Sequence, residues 1–392
     1  MFSQIKLSKI GLLPRIIIAI ILGVLCGMFF PEWAVRCFVT FNSIFSHFLS
    51  FLIPLIIVGL VTPAIADIGK GAGRLLLITA LIAYGDTILS GFLSFFTSSG
   101  LFPALIDRAT AAQAVTAADD LEPFFTIDIP PLLNVMSALI TAFVVGLGIS
   151  FFESPGLKKG FDEFRDIITK TIEVALIPVL PLYIFSIFLN MSFSGQAWRI
   201  INVFIAIIGI IFVMHILLIV LQYCIAGLIS GHNPFMALYN MMPAYFTALG
   251  TSSSAATIPV TLRQVKKNGV SDGIAGFVVP LCATIHLSGS AMKITACAVA
   301  LLLMQGAPID LGQFTGFILM LGVMMVAAPG VPGGAIMAAL GVLQTFLGFD
   351  AEQQAVMIAL YITMDSFGTA CNVTGDGAIA LIVDRIYGKK SH

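Results

Sequence analysis

Four polar residues in "DSFGTACNVTGDGA" (365–378) interrupt an otherwise apolar run: Asp365, Thr369, Asn372 and Asp376. Read as a helix, they stand at i, i+4, i+7 and i+11 and share one face. A charge at mid-membrane costs about 2.5–3.5 kcal/mol even on the lenient insertion scale. Two carboxylates on one face therefore need cations or donors opposite them. Internal hydrogen bonding between packed helices is one solution. The other, which the mixture of carboxylate, amide and hydroxyl favours, is a hard cation together with the cationic group of a solute. An intramembrane aspartyl protease is a poor fit, because Asp365 and Asp376 lie about 16 Å apart by helical rise and such a pair must share a proton. A serine protease built on Ser253 and His286 is equally poor, since a run of serines does not shelter a nucleophile.

Three more interruptions carry polar groups. "GTSSSAATIP" (250–259) supplies hydroxyls and the free N–H groups of a half-helix, which suit a carboxylate. "APGVPGG" (328–334) bends the backbone where carbonyls can meet a cation or a lid can hinge. "ATIHLSGSAMK" (283–293) permits local unwinding at Gly289. His286 there is either a packed, satisfied histidine or a proton-coupling or solute-contacting group. Lys293, seven residues on, shares a helical face with His286 and needs an acid nearby or must give up its proton. "AYGDTILSG" (83–91) adds Tyr84, Asp86 and Thr87, with Asp86 a candidate counter-charge for Lys293.

The elements that must position these groups are membrane helices. Of 392 residues 59% are hydrophobic and only 10% charged, with net charge −1; soluble domains carry roughly 25% charged residues. Nothing in that balance suggests nucleic acid. Apolar runs long enough to cross a bilayer lie near 14–30, 40–66, 75–98, 131–152, 171–194, 200–230, 274–303 and 354–387, giving eight spans. Segments 234–262 and 313–346 are broken at their centres. Irregular backbone at membrane depth is tolerated only inside protein or beside a watery cavity, so both read as re-entrant hairpins. Lys and Arg collect on loops that face the cytoplasm if both termini do, with only Arg36, Arg108 and Arg199 outside. The location is a cell membrane, multi-pass. The first span lacks a small-residue cleavage motif. The six cysteines read as buried small hydrophobes, and 99–130 as an extracellular connector without chemistry.

Together the motifs resemble the dicarboxylate/amino acid:cation symporter family, the glutamate transporter homologues. "ALGTSSSAATIPVT" is similar to the family's serine-rich first hairpin and "APGVPGG" to the tip of its second. "NVTGDG" resembles its last-helix signature, and "PLCATIHLSGSAM" a divergent form of its Asn-Met-Asp-Gly-Thr segment. The likeness covers 230–385 in order and spacing. It implies an all-α membrane protein with eight transmembrane helices and two re-entrant hairpins, assembled as a homotrimer in the lipid bilayer, and no enzyme. Residues 1–66 and 131–194 would form a static scaffold, and 75–98 with 200–387 a transport domain moving like an elevator. By resemblance, Asp365 binds the substrate's amino group, and Asn372 and Asp376 bind sodium with carbonyls near Cys282 and His286. Carbonyls of Thr284, Leu287, Val326 and Ala328 match a further sodium site. Ser253, Ser254, Gly330 and Val331 match the groups around the substrate carboxylate, with Ser290 and Thr369 as hydroxyl contacts.

The departures narrow the expectation. Acidic-substrate members carry an arginine at the position of Gly368, or at that of Ser252; neither is present. A second carboxylate would be buried unpaired, so a small neutral amino acid such as serine, threonine or alanine is expected, with Gly368 leaving room for a larger side chain. Dicarboxylates or acidic amino acids are the alternative, with Lys293 in the arginine's role. His286 and Ser288 stand where the family's deep sodium site has an asparagine and an aspartate. That site, with Tyr84 and Thr87 retained, is doubtful, and fewer sodium ions are expected, with a proton on His286 or Asp86 as the alternative.

Overall fold

The computed structural model describes residues 12–68, 74–106, 121–195, 197–328 and 332–387, the side chains of 197–203 excepted. Fifteen α-helices follow in order among the described residues: α1 Leu12–Gly27, α2 Glu32–Ile68, α3 Arg74–Leu105, α4 Val135–Phe151, α5 Pro155–Thr171, α6 Ile177–Phe193, α7 Ala197–Ser230, α8 Pro234–Thr251, α9 Ser254–Lys267, α10 Asp272–Ile285, α11 Ser288–Met304, α12 Leu311–Ala327, α13 Gly334–Leu347, α14 Ala351–Thr363 and α15 Asp365–Tyr387. The protein is all-α, because apolar chain in hydrocarbon must close every backbone hydrogen bond within its own segment.

Among the described residues, five helical stretches, in α2, α3, α5–α6, α7 and α10–α11, are long and apolar enough to cross a membrane, and the α14–α15 pair, bent by 63°, makes a sixth. The other two expected spans are the shorter apolar helices α1 and α4, with 16 and 17 residues. Two sequence boundaries are corrected. The loop expected between 152 and 171 is instead the amphipathic helix α5, laced by Lys158–Asp162 and Arg165–Asp162 pairs, and it runs into α6 through a π-turn at Ile172–Leu176. The last span is not continuous, since it breaks at Met364 and restarts at Asp365. Expectations resting on Lys6, Lys9, Lys70, Arg108, Lys389 and Lys390, on the side chain of Arg199, and on 107–120 of the 99–130 connector lie outside the described residues, and the connector's expected start is corrected because α3 runs on to Leu105. Of the cysteines, Cys282, Cys297 and Cys371 are buried, but Cys37 is exposed.

Both interrupted segments are helical hairpins. The first pairs α8 with α9 across Ser252 and Ser253; Ser252 takes left-handed φ (51°) and its hydroxyl sits 2.6 Å from that of Ser366. Ser253 caps α9 by accepting from the Ala256 N–H (3.2 Å). The second pairs α12 with α13, where Gly333 at φ 75° opens the returning helix. A further break, at His286–Leu287, separates α10 from α11. The seven-residue spacing from His286 to Lys293 therefore does not put them on one face.

Close backbone approach builds the helix pair α1–α6. A Cβ on Gly23 would lie 2.6 Å from the Phe185 carbonyl oxygen, and one on Gly27 2.5 Å from that of Leu189. The Gly-x-x-x-Gly spacing thus serves helix contact without large side chains. Gly27→Leu is expected to cost about 1–3 kcal/mol through overpacking and to lower the Tm of the purified protein. Gly148→Leu, where no atom lies within 4 Å, is expected to leave Tm unchanged.

Candidate functional site

The polar residues converge where the first hairpin, the α10–α11 break, α13 and the start of α15 meet. A small cavity of about 40 Å³ is lined there by Ser252, Ser253, Ser254, Ala283, Thr284, Leu287, Ser290, Ala328, Ala335, Tyr361, Asp365, Thr369 and Asn372. The N-terminal end of α9 and the C-terminal ends of α10 and α12 reach it together. A helix start favours an anion and helix ends favour a cation, so one cavity presents both preferences side by side.

Asp365, the first residue of α15, anchors this wall. One oxygen accepts from Lys293 Nζ at 3.0 Å, and the other from the Gly333 N–H at 3.1 Å. Lys293 is completely buried in α11, and its ammonium also lies 3.4 Å from the centre of the Tyr361 ring. The expectation that Asp86 is the counter-charge of Lys293 is corrected, because Asp365 takes that role. Gly368 is corrected as well. A Cβ there would fall 2.8 Å from Lys293 Nζ, so the missing side chain makes space for the lysine and not for a larger solute. Neither Gly368 nor Lys293 lines the cavity.

Asp376 lies deeper, three turns along α15, where His286 bridges two acids. Its Nδ1 is 2.9 Å from Asp376 Oδ1 and its Nε2 is 2.7 Å from Asp86 Oδ2. Gln222 Nε2 donates to the same Asp86 oxygen (2.6 Å) and to Ser288 Oγ (3.0 Å). Asn372 Oδ1 accepts from the Gly289 N–H at 2.8 Å, and Ser290 Oγ lies 2.9 Å from Tyr361 Oη.

These contacts allow two ion sites to be tested against the residues present. The Thr284 and Ala328 backbones end α10 and α12 at the cavity wall, a donor set that fits a hard monovalent cation. Leu287 lines the same wall, but its carbonyl already accepts from the Ala291 N–H; Val326 does not reach it. The deeper set is already engaged within the protein. The Cys282 carbonyl accepts from the His286 N–H, Asp376 is held by the imidazole and Asn372 by Gly289. Tyr84 and Thr87 are not brought together with His286 either. The Tyr84 hydroxyl donates to the Leu319 carbonyl (3.1 Å) and that of Thr87 to its own helix at Ala83. Gly330 and Val331 lie outside the described residues.

The sequence reading missed Gln222 and Tyr361. Gln222 was visible as a polar residue within the apolar run of α7. Tyr361 carried no signal, since tyrosine is ordinary at either end of a span.

Lys293→Met leaves Asp365 buried with only the Gly333 N–H. Breaking one side of a buried pair costs about 3–5 kcal/mol, so Tm is expected to fall sharply. Lys293→Met combined with Asp365→Asn is expected to recover most of that loss, an interaction a double-mutant cycle reads directly.

The sequence profile of the sodium:dicarboxylate symporter family matches residues 12–386. The chain is 29% identical over 265 residues to excitatory amino acid transporter 3 of Mus musculus, covering 66% of this chain and 50% of that protein. It is 33% identical over 156 residues to excitatory amino acid transporter 2 of Homo sapiens, covering 40% of this chain and 27% of that protein. The chain thus spans half or less of the length of these relatives. With the family profile running along nearly all of its described helices, this chain belongs to the sodium:dicarboxylate symporter family.

Proposed function

We propose that the protein is a secondary active symporter that couples uptake of a small neutral amino acid to sodium. The observation that carries this reading is the charge on the cavity wall. Among the described residues lining it, Asp365 is the one charged side chain, and hydroxyls, an amide and helix ends make up the polar remainder. Asp365 still has lone pairs free for an ammonium after accepting from Lys293 and Gly333. The α9 start, with Ser253 and Ser254, suits the carboxylate. A zwitterion thus finds a partner for each end, and a second carboxylate finds no cation on the wall. Sodium would be held by the Thr284 and Ala328 carbonyls beside the solute. A bound cation lowers the cost of a buried anion nearby, so the two ligands favour each other's binding.

Lys293 supports a second reading. Its ammonium fills the space left open at Gly368, the position where acidic-substrate members place an arginine. A rotation of Lys293 away from Asp365 would serve an acidic amino acid or a dicarboxylate.

An elevator motion is supported by the seam between the proposed scaffold (1–66, 131–194) and transport (75–98, 200–387) parts. An apolar pocket of about 180 Å³ lies there, between Val61, Ile65 and Phe143 on one side and Ala80, Val323 and Val326 on the other. Apolar contact at this pocket favours sliding of one part on the other, although the Tyr183 hydroxyl also donates across the two parts to the Ala351 carbonyl (3.2 Å). The homotrimer, the cell-membrane location and the cytoplasmic termini belong to the same reading.

Thermal-shift titration of the purified protein with L-serine, L-alanine, L-threonine, L-aspartate and succinate, each with and without sodium, tests this. Stabilisation by the neutral amino acids, in sodium only, is expected. Stabilisation by aspartate or succinate instead would establish the Lys293 reading. In saturating sodium, Asp365→Ala is expected to lose the amino-acid shift; an unchanged affinity would remove Asp365 from the site.

A further inference from the structure

We infer that His286 is a tethered counter-ion: the ring, with the two protons it shares with Asp86 and Asp376, takes the place that a mobile cation would otherwise fill. The inference rests on the sodium coupling proposed above, and it concerns how many cations the protein must borrow from solution.

Hydrogen-bond inventory carries the argument. Both ring nitrogens of His286 lie within hydrogen-bond distance of a carboxylate oxygen, 2.9 Å to Asp376 and 2.7 Å to Asp86. An ionised carboxylate only accepts, and a ring nitrogen without hydrogen only accepts as well. Two such contacts therefore require two protons among the three groups. The cluster carries net charge −1 wherever those protons sit, the same as two carboxylates with one bound monovalent cation. His286 and Asp376 are each 1% exposed and the Asp86 side chain 14%, so of the three groups only Asp86 meets solvent appreciably.

The ring and Gln222 pack closely against α15. A Cβ on Gly375 of α15 would lie 2.8 Å from His286 Cε1 and 2.9 Å from Gln222 Oε1. That glycine admits the ring against the helix backbone. Gln222 from α7 fixes Asp86 from the other side while holding Ser288 at the α10–α11 break. The other titratable groups near the cluster are Cys282 on α10, Cys371 on α15 and Tyr223 on α7, whose hydroxyl donates to the Thr374 carbonyl. None brings a positive charge. The imidazole thus joins α3 and α15 to the end of α10, and Gln222 adds α7 through Asp86.

The test is the sodium dependence of thermal stability in the substrate-free protein, at constant ionic strength with choline, and with potassium as the comparison ion. It needs no knowledge of the solute, so failure of the amino-acid reading leaves it intact. Wild type is expected to show a given sodium slope. His286→Gln is expected to be destabilised without sodium and to show a steeper slope, worth up to a further tenfold in the folded ratio per tenfold sodium. His286→Gln with Asp86→Asn restores net charge −1 without a cation, so its slope is expected to return to that of wild type. Equal slopes in wild type and His286→Gln would overturn the inference. So would failure of His286→Gln to fold at any sodium concentration while the double variant folds, because a mobile cation then cannot replace the ring.

Discussion

Buried carboxylates need a positive partner inside the membrane, and that requirement organises this molecule. Asp365 and Asp376 sit on one face of α15, eleven residues apart, and each is met by a cation that the chain itself provides: Lys293 from α11 and His286 from the α10–α11 break. Each pair ties α15 to a helix far away in sequence. With hydrocarbon around the bundle, water cannot stand in for either partner. The helices that carry the charges are therefore held in one arrangement.

The two pairs leave different amounts of room. At Asp365 the partner arrives from behind, through the gap at Gly368, and the carboxylate still faces the cavity with its hydroxyl wall. At Asp376 the imidazole closes the site and links it to Asp86 on α3. The first arrangement leaves an acid able to greet an ammonium group. The second leaves an acid already satisfied. Geometry thus divides two chemically identical residues, both paired within the chain, into one that lines the cavity and one that does not.

Much of this was legible in the sequence because it rests on local pattern. The face shared by Asp365, Thr369, Asn372 and Asp376 follows from 3.6 residues per turn, and the hairpins follow from Ser, Gly and Pro where hydrocarbon forbids irregular backbone. The charge partners were not legible. Lys293 and Asp365 are 72 residues apart, and His286 is 90 from Asp376 and 200 from Asp86. Periodicity carries no information across such intervals. It also misled at His286 and Lys293, where a helix break removed the shared face that unbroken spacing implied. Gly368 shows the same limit, since an absent side chain reads as room until the neighbour filling it is known.

The central claim is that the cavity presents to the solute one carboxylate with acceptor capacity to spare, and no cation. Uptake into proteoliposomes under an inward sodium gradient, with labelled L-serine and labelled succinate measured side by side, tests it most directly. The account predicts sodium-driven accumulation of serine that succinate does not inhibit. Sodium-driven accumulation of succinate would contradict it, and would mean that Lys293 leaves Asp365 to serve the solute.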